Sequence, residues 1–127
     1  MIHLDTSVVI DALTGPRRSA AALRSAIERG ERIALSSLVL FEWRRGPRLG
    51  AELRAQEALF PAESVVTFGA HEARLAAGMY LRARRSRGRE IDIAIAACAI
   101  ASGAKLWSLN PADFADLPDL ALYDPAD

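Results

Sequence analysis

Apolar residues fall along the chain in two rhythms. Runs of four or five, "MIHL" at 1–4, "RIALS" at 32–36, "SVVTF" at 64–68 and "KLWSL" at 105–109, have the length of short buried strands, and "LALYD" at 120–124 offers a last one. Between them lie longer segments with helical spacing. "TSVVIDAL" stops before Gly15-Pro16. "PRRSAAALRSAIERG" has Pro16 at its first turn and Gly30 at its stop. "SSLVLFEWRRG" begins at a serine cap and ends at Gly46-Pro47, and "GAELRAQEALFP" is closed by Pro61. The spacing predicts a long helix over "AHEARLAAGMYLRARRSRG" and another over "EIDIAIAACAIASG", ending at Gly103. Short apolar strands alternating with helices predict a mostly parallel sheet covered on both faces. Such sheets place their sites at the carboxyl ends of the strands, where Asp5 and Asn110 fall.

Composition narrows the picture. The 127 residues match one domain, and with no repeat or linker the chain reads as one unit over 1–127. A 51% apolar and 25% charged chain is globular, with no run long enough to span a membrane and no signal peptide at "MIHLD". Its single cysteine, Cys98 in "IAIAACAIA", makes neither an internal disulfide nor a thiolate metal site and reads as a small buried hydrophobe. These features point to the cytoplasm. A net charge of zero argues against indiscriminate nucleic-acid binding. It hides a pattern, because fifteen of the sixteen basic residues are arginine and several crowd into "LRARRSRGRE". After Lys105 every charged residue is an aspartate: Asp113, Asp116, Asp119, Asp124 and Asp127.

Three carboxylates interrupt apolar segments. Asp5 follows Ile2 and Leu4, Glu42 falls in "LVLFEW", and Asp92 falls in "EIDIAIAACAI". An ionised carboxylate in apolar surroundings is costly unless it is paired, hydrogen-bonded or bound to metal. Each has an ordinary alternative. Asp5 can cap the following helix, Glu42 can pair with Arg45 one turn on, and Asp92 can sit on the positive end of a helix dipole. In "WSLNPADF", Asn110-Pro111 reads as a turn and Asp113 as a turn or cap residue. Asp11 is expected on a helix surface or behind the site. If Asp5, Glu42, Asp92 and Asp113 converge, each pair ~4 Å apart repels by roughly 4 kcal/mol at an effective dielectric near 20. Such a cluster calls for protonation or a cation. All-oxygen ligands suit Mg²⁺ or Mn²⁺, which can activate a water in phosphodiester cleavage. His3 in a strand and His71 at a helix start are poor rivals as a base.

These residues in this order resemble the PIN-domain family, and within it the toxin ribonucleases of the VapC type. The matching stretches are "LDTSVVID", "SSLVLFEWRRG", "EIDIAIAACAIASG" and "LWSLNPADF", which punctuate almost the whole chain. The resemblance implies a three-layer α/β/α sandwich and a Mg²⁺- or Mn²⁺-dependent endoribonuclease that forms a homodimer. It also implies a small cognate antitoxin of the VapB kind, which masks the acidic site and binds operator DNA. Carried over by position, it marks Asp5, Glu42 and Asp92 as the acidic core. Asp113 is expected to add charge and metal contact, Ser108 and Asn110 to orient the site, and Thr6 to fix Asp5. Arg82, Arg85, Arg87 and Arg89, just before Asp92, are expected to meet RNA phosphates or antitoxin, as are Arg44 and Arg45 after Glu42. Phe41 and Trp43 beside Glu42 read as core, or as lining for a partner. The rival reading is a PIN-like binding module without catalysis. A receiver or dehalogenase-type phosphotransfer domain fits poorly. Thr6 and Ser7 stand where those families place acids, and the only lysine, Lys105, precedes its strand.

Overall fold

The computed structural model describes residues 1–126; Asp127 lies outside the described residues. Its strands are β1 (Ile2–Leu4), β2 (Ile33–Ala34) and β3 (Lys105–Trp107). Its helices are α1 (Thr6–Leu13), α2 (Ala20–Glu28), α3 (Ser37–Arg45), α4 (Gly50–Leu59), α5 (Ala70–Arg82) and α6 (Glu90–Ala101). The sheet runs β2-β1-β3, all parallel, with His3 opposite Ala34 on one side and Leu106 on the other. Central β1 is "IHL", buried throughout, as a strand covered on both faces must be. The six helices complete a three-layer α/β/α sandwich.

Helix ends follow their local chemistry. Ser36 Oγ accepts the Val39 amide at the start of α3 (3.3 Å), as its position before an apolar run predicts. Glu52 and Glu72 reach back to the amides of Leu49 (2.7 Å) and Gly69 (3.0 Å) at the starts of α4 and α5. Beyond α6, Gly103 takes φ +65°, a conformation that favours glycine, and turns the chain directly into β3. Helix α6 is apolar on every side, with Ile93 to Ala99 wholly buried, and it forms the middle of the core. Cys98 is buried there and its thiol is pushed up to about 11, first by desolvation, so it is an inert packing residue.

Several expected elements are shorter than their sequence patterns. "SVVTF" contributes one parallel bridge, Ser36 to Val66, because the next available amide, Phe68, is taken by Ser37 Oγ (3.0 Å). "LALYD" contributes one bridge, Leu106 to Leu122, and Pro125 has no N–H with which to extend it. Helix α2 starts at Ala20 rather than Pro16: Arg17 adopts φ +55°, and Ser19 Oγ donates to Asp11 Oδ2 (2.6 Å). That bond accounts for Asp11. The long helix ends at Arg82 rather than Gly88. Continued, it would align Arg82 with Arg85 and Arg84 with Arg87 as like-charged neighbours. Instead Ser86 Oγ donates back to the Tyr80 carbonyl, and residues 83–89 form a loop.

Candidate active site

The sheet brings Asp5 to the end of β1, where its amide donates to the Trp107 carbonyl at the end of β3 (2.9 Å). Its side chain is only 7% exposed. It stands at the cap position of α1 but makes no side-chain cap bond. Two hydroxyls donate to its Oδ2 instead, Ser108 Oγ at 2.8 Å and Ser7 Oγ at 3.0 Å. Both hydroxyls are themselves aimed by backbone amides, Asn110 N–H to Ser108 Oγ and Leu109 N–H to Ser7 Oγ, each at 3.0 Å. This network ties the loop after β3 to the start of α1 across more than a hundred residues of sequence. It also fixes the rotamer of a carboxylate that burial would otherwise penalise.

Thr6 acts elsewhere than expected. Its Oγ1 donates to Glu42 Oε1 (2.6 Å), not to Asp5, because on α1 it faces α3. The other oxygen, Glu42 Oε2, lies 3.6 Å from Arg45 Nη2. Glu42 is therefore held between a hydroxyl and a cation, half-buried on α3. Ser7, rather than Thr6, is the α1 residue that orients Asp5. The sequence carried a usable signal for it, since a hydroxyl two residues after a capping position reaches back naturally.

Asp92 projects from the first turn of α6 and is half-buried. Its carboxyl is pushed above the usual aspartate range, most strongly by desolvation and then by the charges of Asp5, Asp113 and Glu42, with Arg89 pulling it back. Asp92 therefore experiences the field of all three other acids singled out from the sequence. Asp113 ends a short 3₁₀ turn, Pro111–Asp113, and is exposed. Asn110 is exposed too and contributes its backbone amide, to Ser108. The acids face one another without closing into a cage. Among the described residues no three His, Cys, Asp or Glu side chains stand close enough to hold one ion by themselves.

A cavity of about 660 Å³ opens beside Asp92 and Asp113, lined by Arg84, Arg85, Arg87, Arg89, Ala112 and Asp116. Of the arginines singled out from the sequence, Arg85, Arg87 and Arg89 line it, and Arg84 joins them. Arg82, the last residue of α5, does not. Arg44 is paired with Glu57 (3.2 Å). Trp43 is fully buried with Arg48 over its ring (4.3 Å), and Phe41 is 62% exposed beneath Arg45. His71 is exposed. His3 is buried in β1, its Nε2 without a partner among the described residues, and desolvation together with the chain's amino terminus lowers it to about 4. A neutral imidazole packed in the sheet is structural.

The arrangement can gather cations at one pole and phosphates beside it. Its donors are all oxygens, which suits a hard divalent ion, and the repulsion at Asp92 is what such an ion relieves. Mg²⁺ commonly takes only one or two protein carboxylates and keeps several waters, so an open set of acids fits it.

The chain is similar to known proteins over nearly its whole length. The sequence profile described as "PIN domain" matches residues 2–120. The chain is 38% identical over 120 residues to ribonuclease VapC19 of Mycobacterium tuberculosis, which covers 92% of this chain and 94% of that protein. Among solved structures, a chain of VapBC2 from Rickettsia felis, bound to a DNA fragment from its promoter, superposes with a TM-score of 0.78 at 22% identity. That match covers 97% of this chain and 98% of the other. A chain of the DNA-bound VapBC from Salmonella typhimurium gives 0.80 at 19% identity, covering 98% and 97%. At these identities the superpositions establish the fold.

Proposed function

The chain belongs to the PIN-domain family, and from that premise we propose that it is the toxin of a toxin–antitoxin pair, a Mg²⁺- or Mn²⁺-dependent endoribonuclease that works at Asp5, Glu42, Asp92 and Asp113. The observation that carries this reading is Asp92, set at the head of a buried helix in the repulsive field of the other three. A fold that tolerates this expense without a ligand has nothing to gain from it. The 38% identity to a ribonuclease over most of the chain supports the same activity.

In this reading Asp5, Asp92 and Asp113 would hold the ion partly through bound water, and Glu42, steadied by Thr6, completes the negative pole and orients water. When bound, a divalent ion lowers the pKa of a water for attack on phosphorus and stabilises charge on the leaving oxygen. Ser7 and Ser108 keep Asp5 in place throughout. The exposed guanidinium groups of Arg85 and Arg87 position the RNA backbone beside the acids and read no sequence. The partner is a cognate antitoxin of the VapB kind that carries the operator-DNA contact, and the toxin works as a homodimer in the cytoplasm. No helix here is long and apolar enough to cross a membrane.

Cleavage of a total RNA pool by purified, antitoxin-free protein tests the proposal, with Mg²⁺, with Mn²⁺ and with chelator. Discrete fragments that require metal, Asp5 and Asp92 support it. A folded, metal-loaded protein that cuts no RNA would point instead to a binding module. Co-purification with the product of a neighbouring small gene tests the antitoxin separately.

A further inference from the structure

The four arginines around the cavity are not equivalent. Arg84, Arg85 and Arg87 are exposed, and their side chains make no hydrogen bond among the described residues. The Arg89 side chain is only 15% exposed and is spent on the protein itself. Its Nη1 donates to Asp116 Oδ2 (2.9 Å) and to the Arg85 carbonyl (2.8 Å). Its Nη2 donates to Asp116 Oδ1 (2.7 Å) and to the Asp113 carbonyl (2.7 Å). A guanidinium has five N–H donors in a rigid fork, and four are committed here. Such a group cannot also fork a phosphate without dismantling what it holds.

What it holds is half of the acidic site. Arg89 immediately precedes α6, three residues before Asp92, and grips the carbonyl of Asp113 directly. Among the described residues, the turn at 111–113 and the chain as far as Leu117 bond otherwise only locally, Asp113 to Asn110, Phe114 to Pro111 and Leu117 to Phe114. Buried Phe114 and Leu117 anchor the segment to the core from below. Arg89 supplies the polar tie above, which sets where the Asp113 carboxylate stands relative to Asp92.

We propose that Arg89 is a positioning residue: by clasping Asp116 and the Asp113 carbonyl, it locks the Asp113 turn against the first turn of α6, so that Asp92 and Asp113 meet one divalent cation together. Arg89 thereby leaves the set of RNA-contacting arginines, which becomes Arg84, Arg85 and Arg87. The inference rests on the nuclease reading for the cation's role, and on the hydrogen-bond geometry alone for the clasp.

The test uses the full chain with Arg89→Gln, Arg89→Lys, Asp116→Ala and the Arg89→Gln/Asp116→Ala double variant. Asp116 is exposed and outside the acid set, so its removal leaves the core intact. Three readouts are taken: amide hydrogen exchange over residues 111–116, Mn²⁺ affinity by calorimetry, and kcat and KM on RNA. Arg89→Gln and Asp116→Ala should each speed exchange by roughly 10-fold and weaken Mn²⁺ binding by about 10-fold, the size of effect known for partners of metal ligands. In both, kcat should fall while KM stays within about two-fold, since no RNA contact is lost. Arg89→Lys should recover part of the loss, and the double variant should be no worse than the poorer single. A raised KM with exchange, Mn²⁺ affinity and kcat unchanged in Arg89→Gln would make Arg89 an RNA contact and overturn the clasp. So would wild-type exchange and Mn²⁺ affinity in Asp116→Ala. If the wild-type protein cuts no RNA, the nuclease reading fails by itself, and exchange and Mn²⁺ binding still decide the clasp.

Discussion

Asp5 and Asp113 bear the same charge on the same negative pole, but one is set into the end of the sheet and the other rides on a surface turn. Asp5 is buried, its backbone paired to Trp107 and its Oδ2 gripped by two hydroxyls that are themselves aimed by amides. Every donor in that chain is an uncharged hydroxyl or amide in direct contact, so salt weakens the grip little. Asp113 is exposed and makes no side-chain hydrogen bond among the described residues; its place depends on its own backbone carbonyl, held by Arg89. One half of the pole is built into the end of the sheet, and the other is held by the Arg89 clasp.

Removing a carboxylate on either side, Asp5 in the sheet half or Asp92 beside the Asp113 turn, breaks the comparison most severely. Asp5→Asn and Asp92→Asn should each cost about 100-fold or more in kcat on RNA, since metal-stabilised charge contributes several kcal/mol. Their stabilities should diverge. Asp92→Asn removes a repelled carboxylate and should raise the thermal midpoint, whereas Asp5→Asn leaves two oriented hydroxyls facing an amide and should lower it. Equal shifts in the same direction would remove the distinction between the two halves.

The fixed half has a floor that is sensitive to acid. Folded His3 titrates at about 4 against 6.5 when exposed, so the unfolded chain takes up its proton first as pH falls. Stability from this residue is complete above about pH 7 and is lost progressively between 6.5 and 4, by about 3 kcal/mol in total. Asp92 works the other way, because acid relieves its repulsion. Urea titrations from pH 7.5 to 4.5 should show a net decline in the wild type, and His3→Leu should flatten it. A decline that survives His3→Leu would place the acid sensitivity elsewhere.

Ser7→Ala and Ser108→Ala probe the grip on Asp5. Each should weaken Mn²⁺ binding by about 10-fold and cost about 1 kcal/mol of stability in urea unfolding. The smallest effect is expected at the cavity's outer wall. Arg85→Glu with Arg87→Glu should raise KM several-fold at low salt, with the difference shrinking as salt screens phosphate contacts, and should leave the thermal midpoint within a degree or two. Cleavage unchanged by that double reversal would remove these arginines from RNA binding.

Much of this molecule was legible in advance because its signals are local. Alternating apolar runs and helical segments named the parallel α/β class, and Ser36 and Gly103 marked helix ends that the structure keeps. Asp5, Glu42 and Asp92 stood out because a charge inside an apolar run needs a reason wherever it occurs. The errors share one cause. "SVVTF" and "LALYD" have strand composition, but how many residues pair depends on which amides are already taken, by Ser37 Oγ in one case and by the missing N–H of Pro125 in the other. Thr6 was matched to its sequence neighbour Asp5, whereas the helix it belongs to turns it toward Glu42, thirty-six residues away.

Sequence alone therefore determined the class of fold, the burial of Cys98 and which acids interrupt apolar segments, because burial and propensity are properties of a residue and its near neighbours. Tertiary structure alone decided the pairings: Ser7 and Ser108 on one oxygen of Asp5, Thr6 on Glu42, and one arginine of a cluster withdrawn from the surface to hold a turn. Hydroxyls and guanidinium groups have many possible acceptors along a chain. Which one they meet depends on distances of a few ångströms between segments that only the packed core brings together.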